Sequence, residues 1–275
     1  MTAVRVEGPV AAGTNRLLVA WGPAILLLAA LVPELRPVAV VVLIAGWGIL
    51  RAARRPEAIA WAAVLPVALV LPWPWLLGAD TPLGSAGCTD PASVIAVRRV
   101  AVAAFGLAVV AALARTHGSG LTELGLRRPR APEAAVAFAA LLVLAGGGLV
   151  VGPWLARPFF GDLDFPRPIA ALVPAVAFGV ANGVLEEISY RGAMQAWLGR
   201  AMPMAWAIGV PALVFGIVHA GPEVLALLPV HIAVMVAVGV AGGVARARLG
   251  SLWIPIGVHV GADIALYVGL ACRAA

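Results

Sequence analysis

The chain contains no lysine; all 19 of its basic residues are arginine. It is poor in charge altogether: Asp, Glu, Lys and Arg make up 12% of its 275 residues, where a soluble domain averages about 25%. That scarcity excludes an ordinary soluble globular fold. Cysteine is nearly absent, and Cys88 and Cys272 lie too far apart to suggest a metal-ligand spacing; they are not read as a disulfide. What fills the chain is apolar: 63% of residues are hydrophobic and the mean hydropathy is +1.02. The composition reads as an all-α, polytopic transmembrane helix bundle embedded in a lipid bilayer. A net charge of +6 would suit a nucleic-acid binder. The arginines, however, fall mostly in short loops between apolar runs, a pattern of membrane orientation and not of a phosphate-binding face. No nucleic-acid partner is expected, and the mixed, polar first 16 residues do not read as a cleavable signal peptide.

A span needs about 20 apolar residues. Apolar runs at 17–32, 38–50, 58–77, 100–113, 134–155, 168–191, 205–219, 224–244 and 254–271 predict eight to nine spans in a multi-pass cell-membrane protein. The 100–113 run is expected to extend backwards past Arg98 and Arg99, with their long stems snorkelling to the interface. The arginine distribution favours a cytoplasmic N-terminus. The longest polar connection, residues 115–133, divides the chain. Residues 1–114 form N-terminal spans of unassigned role, 115–133 a cytoplasmic basic loop, and 134–275 the part that carries chemistry.

A charged side chain at mid-membrane costs roughly 2.5–3.5 kcal/mol on insertion scales. The last hundred residues nevertheless place Glu186, Glu187 and Arg191, then His219, His231, and finally His259 and Asp263 inside apolar runs. Glu187 and Arg191 are one helical turn apart, as are Phe215 and His219, and His259 and Asp263. Counted from a turn at Met202-Pro203, Glu186 and His219 each lie roughly 24 Å along antiparallel helices, so they should face each other. His259, counted from Gly250, starts shallower, at roughly 13 Å. Glu187 finds a partner in Arg191 on its own helix, which leaves Glu186 as the freer carboxylate. Taken singly, these residues have plain structural readings: an ion pair for Glu187 and Arg191, packed core for Phe215, a packed or backbone-bonded ring for His231. As a set they suit hydrolysis, in which a desolvated glutamate activates water, one histidine holds it, and a second stabilises an oxyanion.

The ordered triplet Glu186-Glu187-x-x-x-Arg191, Phe215-x-x-x-His219 and His259-x-x-x-Asp263 resembles the motifs of the CPBP family, the CAAX-processing and bacteriocin-processing intramembrane proteases. The resemblance runs from Pro168 to Leu270. It implies an intramembrane endopeptidase acting on a membrane-associated peptide or protein substrate. Glu186 would activate water with His219, and His259 with its partner at i+4 would stabilise the oxyanion. Glu187, Arg191 and Phe215 would support them. That partner is Asp263 here, where asparagine is common in the family, and an ionised aspartate cannot donate a hydrogen bond to an oxyanion. The family has also been described as metal-dependent, and Glu186, His219 and His259 would then be a three-ligand zinc set. The expected chemistry is metal-free. A non-enzymatic alternative, a transporter or an immunity factor that binds a partner, also uses intramembrane carboxylates and histidines.

Overall fold

The computed structural model describes residues 14–32, 34–70, 92–160, 168–219 and 228–271. Among them every regular element is helical and there is no strand. The elements are α1 (Thr14–Ala30), α2 (Arg36–Ala52), α3 (Ala58–Val70), α4 (Ala92–Thr116), α5 (Ala131–Phe160), α6 (Pro168–Glu186), α7 (Met204–Val218), α8 (Leu228–Leu249) and α9 (Trp253–Ala271). Helix α6 runs without interruption into a π-helical segment (Glu187–Met194) and a last α turn (Gln195–Leu198). Cys88, Cys272, Asp162 and Asp164 lie outside the described residues.

The expected helical membrane bundle is present. Among the described residues four stretches are long and apolar enough to cross a bilayer singly: Ala96–Thr116, Ala131–Gly148, Leu172–Leu198 and Pro229–Leu249. Helices α5 and α8 turn most of their apolar surface outward, with Val143, Val150, Val173 on neighbouring α6, and Val238 exposed. In water such surfaces would aggregate; in a bilayer they are the lipid-facing side. Helix α3 is the opposite case. It has only 13 residues, nearly all of them buried, because α1, α2 and α4 enclose it.

Lipid is as apolar as leucine, so helices in a bilayer gain little from hiding side chains and associate instead through close packing of small residues. That rule places the last helix. Helix α9 lies against both α5 and α6. On one side Gly261 meets the α5 backbone, where an added Cβ would stand 2.7 Å from the Leu141 carbonyl oxygen. On the other, Gly183 of α6 meets Val260, where an added Cβ would stand 2.9 Å from Cγ2. These approaches bring α9, with His259 and Asp263, against the helix that carries Glu186.

At one end of the bundle the arginine-rich loops gather. The Arg200 guanidinium pairs with Glu123, and Trp197 Nε1 donates to Ser119 Oγ at 3.0 Å. Arg246 Nη2 donates to the Glu123 carbonyl at 2.5 Å, and Arg127 Nη2 to the Leu249 carbonyl at 3.2 Å. Trp47 Nε1 donates to His117 Nε2 at 3.1 Å. Gly125 takes a left-handed conformation (φ +79°), and its carbonyl receives the Leu252 N–H at 2.9 Å. Residues 117–130 thus clasp the ends of α2, α6, α8 and α9.

Candidate active site

Three helices deliver the four predicted catalytic side chains to one point. Glu186 ends α6, His219 follows the last residue of α7, and His259 and Asp263 occupy one face of α9. Glu186 Oε2 stands 3.8 Å from His219 Nε2 and 3.6 Å from His259 Nε2. His259 Nε2 is also 3.7 Å from Asp263 Oδ2. The depth gap expected for His259 has closed, because the Glu186 helix continues through the π segment to Leu198 and lengthens that side of the hairpin.

Each ring nitrogen has a defined neighbour. His219 Nδ1 lies 2.7 Å from the Phe215 carbonyl, which only accepts, so Nδ1 carries the proton and Nε2 faces Glu186 with its lone pair when the ring is neutral. His259 Nδ1 lies 2.9 Å from Glu187 Oε1, and the same oxygen accepts from Arg191 Nη1 at 2.9 Å. Glu187 therefore does more than pair with Arg191 as the i,i+4 spacing suggests: it also orients the His259 ring.

Phe215 is buried at the centre of this arrangement. Arg191 Cζ sits 4.3 Å from its ring centroid, within cation–π range. The His219 ring is 4.3 Å away, Tyr190 packs edge-on at 5.3 Å, and His259 lies at 6.0 Å. One phenyl ring thus fixes both histidines and the arginine. His231, on α8, neighbours His219 and belongs to its surroundings rather than to the Glu186 cluster.

Two participants escaped the sequence reading, and two linked expectations are overturned. Arg99 does not snorkel to the interface. Its Nη2 turns inward from α4 and donates to Glu186 Oε1 at 2.7 Å. Glu186 is thus a paired carboxylate whose cation comes from another helix, and not the freer of the two acids. The physical reason is cost: a guanidinium in an apolar span gains more from a buried acid than from stretching to water. Asn182, one turn before Glu186, is the second. Its Nδ2 donates to Asp263 Oδ2 at 2.8 Å, linking α6 to α9. The available signal was the polarity of both residues inside apolar runs, where every polar group needs a partner.

Arg99 takes one Glu186 oxygen and leaves Oε2 buried, with no hydrogen-bond partner among the described residues, aimed at the two imidazoles. Three carboxylates (Glu186, Glu187 and Asp263) stand beside two guanidiniums, Arg99 and Arg191, and two imidazoles. Among the described residues no group of three or more His, Cys, Asp and Glu side chains has the arrangement of a metal site. Glu186, His219 and His259 approach one another, but Glu186 is already engaged by Arg99 and His259 by Glu187.

Bundle and cluster together define a polytopic membrane protein with a buried acid–base centre. Residues 168–265 match the family model described as Rce1-like, type II CAAX prenyl endopeptidase, a similarity consistent with the CPBP resemblance. The match contains every residue of the cluster except Arg99. No curated protein and no solved structure matches the chain.

Proposed function

We propose that this chain is an intramembrane endopeptidase in which Glu186 activates the attacking water. The observation that carries the reading is the position of Glu186 Oε2, which faces His219 Nε2 at 3.8 Å and His259 Nε2 at 3.6 Å. Those gaps are too long for direct hydrogen bonds and suit a bridging water. In this reading the two hydrogens of the water point at two acceptors, Glu186 Oε2 and neutral His219 Nε2. Its oxygen lone pair is then directed at the scissile carbonyl. Glu186 takes one proton as the C–O bond forms, and returns it to the amine nitrogen as the C–N bond breaks.

His259 is the oxyanion donor. Glu187 holds its Nδ1–H, and the carboxylates of Glu186 and Asp263 beside Nε2 favour a second proton there, which makes Nε2–H a charged donor. Asp263 therefore acts through His259, as its anionic neighbour, and Asn182 holds Asp263 in place. This removes the difficulty that aspartate cannot donate. Arg99 orients Glu186 through the oxygen that the water does not use.

The substrate is a peptide or protein segment that reaches the centre from the bilayer. With the arginine-rich loops on the cytoplasmic side, the N-terminus is cytoplasmic and the protein resides in the cell membrane. The test uses a fluorogenic peptide with a prenylated CAAX end and its unmodified counterpart, assayed with protein in neutral detergent. Glu186→Gln should lower kcat at least a hundredfold with its unfolding midpoint little changed. Undiminished cleavage by that variant would reject the general-base assignment.

A further inference from the structure

Away from the Glu186 cluster, the gathered loops border an open cavity of about 450 Å³ lined by Arg51, Arg54, Arg55 and Arg200, together with Thr116 and His117. Its volume lies in the range of small-molecule sites. Four guanidiniums line it, and among the described residues no carboxylate does. Two of them have acids nearby: Arg55 Nε is 3.4 Å from Glu57 Oε2, and Arg200 pairs with Glu123. Arg51 donates to the Thr116 carbonyl at 3.2 Å, and among the described residues neither it nor Arg54 has a carboxylate partner. The lining therefore keeps an excess of about two positive charges.

His117 adds none. Burial, then Arg51 and Arg200, hold its pKa below the ordinary histidine value. Its Nε2 accepts from Trp47, so the remaining proton sits on Nδ1 as a neutral donor. Arg54 also closes helix α2: it adopts φ +54° at the C-terminal cap, with the Arg55 N–H on the Leu50 carbonyl at 2.8 Å and the Arg54 N–H on the Arg51 carbonyl at 3.1 Å.

We propose that this cavity binds the phosphate of an anionic phospholipid headgroup. Guanidiniums present paired N–H donors that match phosphate oxygens. The cavity lies at the end of the bundle where the arginine-rich loops gather, beside the partly buried Trp47, whose indole donates to the lining residue His117. Basic pockets between transmembrane helices on the cytoplasmic side are a recurrent way of holding such headgroups. The site takes no part in water activation, so its fate and that of the peptidase reading are separate.

The experiment measures binding of phosphatidylglycerol to the full-length protein in neutral detergent, by native mass spectrometry and by the shift in unfolding midpoint. Phosphatidylcholine and inorganic phosphate serve as separate arms. The variant is Arg54→Gly combined with Arg55→Gln. The glycine suits the left-handed backbone, while the loss of Arg55 leaves the buried Glu57 without its partner, so Arg55→Gln alone is the stability reference for the double variant. Phosphatidylglycerol should bind wild type more tightly than phosphatidylcholine does, and the variant should lose roughly fivefold in affinity for each arginine removed. A control variant, Arg128→Gln with Arg248→Gln, should bind as wild type does. Equal losses in control and test variants, or no preference for phosphatidylglycerol, would overturn the site. Binding of inorganic phosphate more tightly than lipid would overturn the lipid assignment and leave a site for a soluble phosphate.

Discussion

Arg99 Nη2 and Glu186 Oε1 meet at 2.7 Å across two helices, and the contact joins a residue outside the peptidase-family match to the acid at its centre. The N-terminal half of the chain thereby contributes directly to the candidate site. Removing the guanidinium should leave an uncompensated acid in an apolar setting. Arg99→Gln is expected to lower stability by less than the roughly 3–5 kcal/mol of a fully buried pair, since 24% of the Arg99 side chain stays exposed. It should lower kcat more than it raises KM, with partial recovery in Arg99→Lys. Unchanged kcat in Arg99→Gln would sever the link between this pair and catalysis.

Asp263 and Asn182 are a donor–acceptor couple, so Asp263→Asn can keep the Asn182 bond through its own carbonyl oxygen while it removes the anion beside His259. That variant should lose roughly a hundredfold in kcat, by the usual size of an oxyanion-stabilising contact, and Asp263→Ala should lose about as much. Activity of Asp263→Asn within about tenfold of wild type would show that the negative charge is not required.

Metal dependence separates two chemistries that employ the same three side chains. Prolonged dialysis against a strong chelator should leave cleavage intact, because Glu186 and His259 already have Arg99 and Glu187 as partners. Loss of cleavage that added zinc restores would transfer Glu186, His219 and His259 to the role of ligands.

Gly183→Val should disable the enzyme from within the helix contact. Its Cβ would stand 2.9 Å from Val260 Cγ2 and 3.0 Å from the Val260 backbone nitrogen, so α9 must give way. A displacement near 1 Å in a reacting group costs on the order of a hundredfold in rate. Cysteine cross-linking between α6 and α9 should report the separation, and normal cleavage with normal cross-linking would contradict the packing argument.

The helices themselves were legible because apolar length and interrupting proline, glycine and arginine mark where a chain can cross a bilayer. The residues of the cluster were legible for a related reason: in lipid, each polar side chain demands a partner, and one-turn spacing paired Glu187 with Arg191, Phe215 with His219 and His259 with Asp263. Partners on different helices were harder. Arg99 stands one residue after Arg98 in the sequence, and nothing local distinguishes a guanidinium that reaches water from one that reaches Glu186. Asn182 suffered similarly, since its partner lies 81 residues away. The π segment left no mark either, because Glu187 and Arg191 meet at i,i+4 within it as they would in an α-helix.

That segment has a mechanical consequence. Widening the turn between Glu187 and Met194 changes how rotation accumulates along the rod, so the two ends of one continuous helix need not share a phase. Above it, Glu186 is set by α4, α7 and α9; beyond it, Trp197 and Arg200 are set by Ser119 and Glu123. The helix works as a shaft with a slipped coupling, on which the reactive end and the loop-bound end are each indexed to their own surroundings.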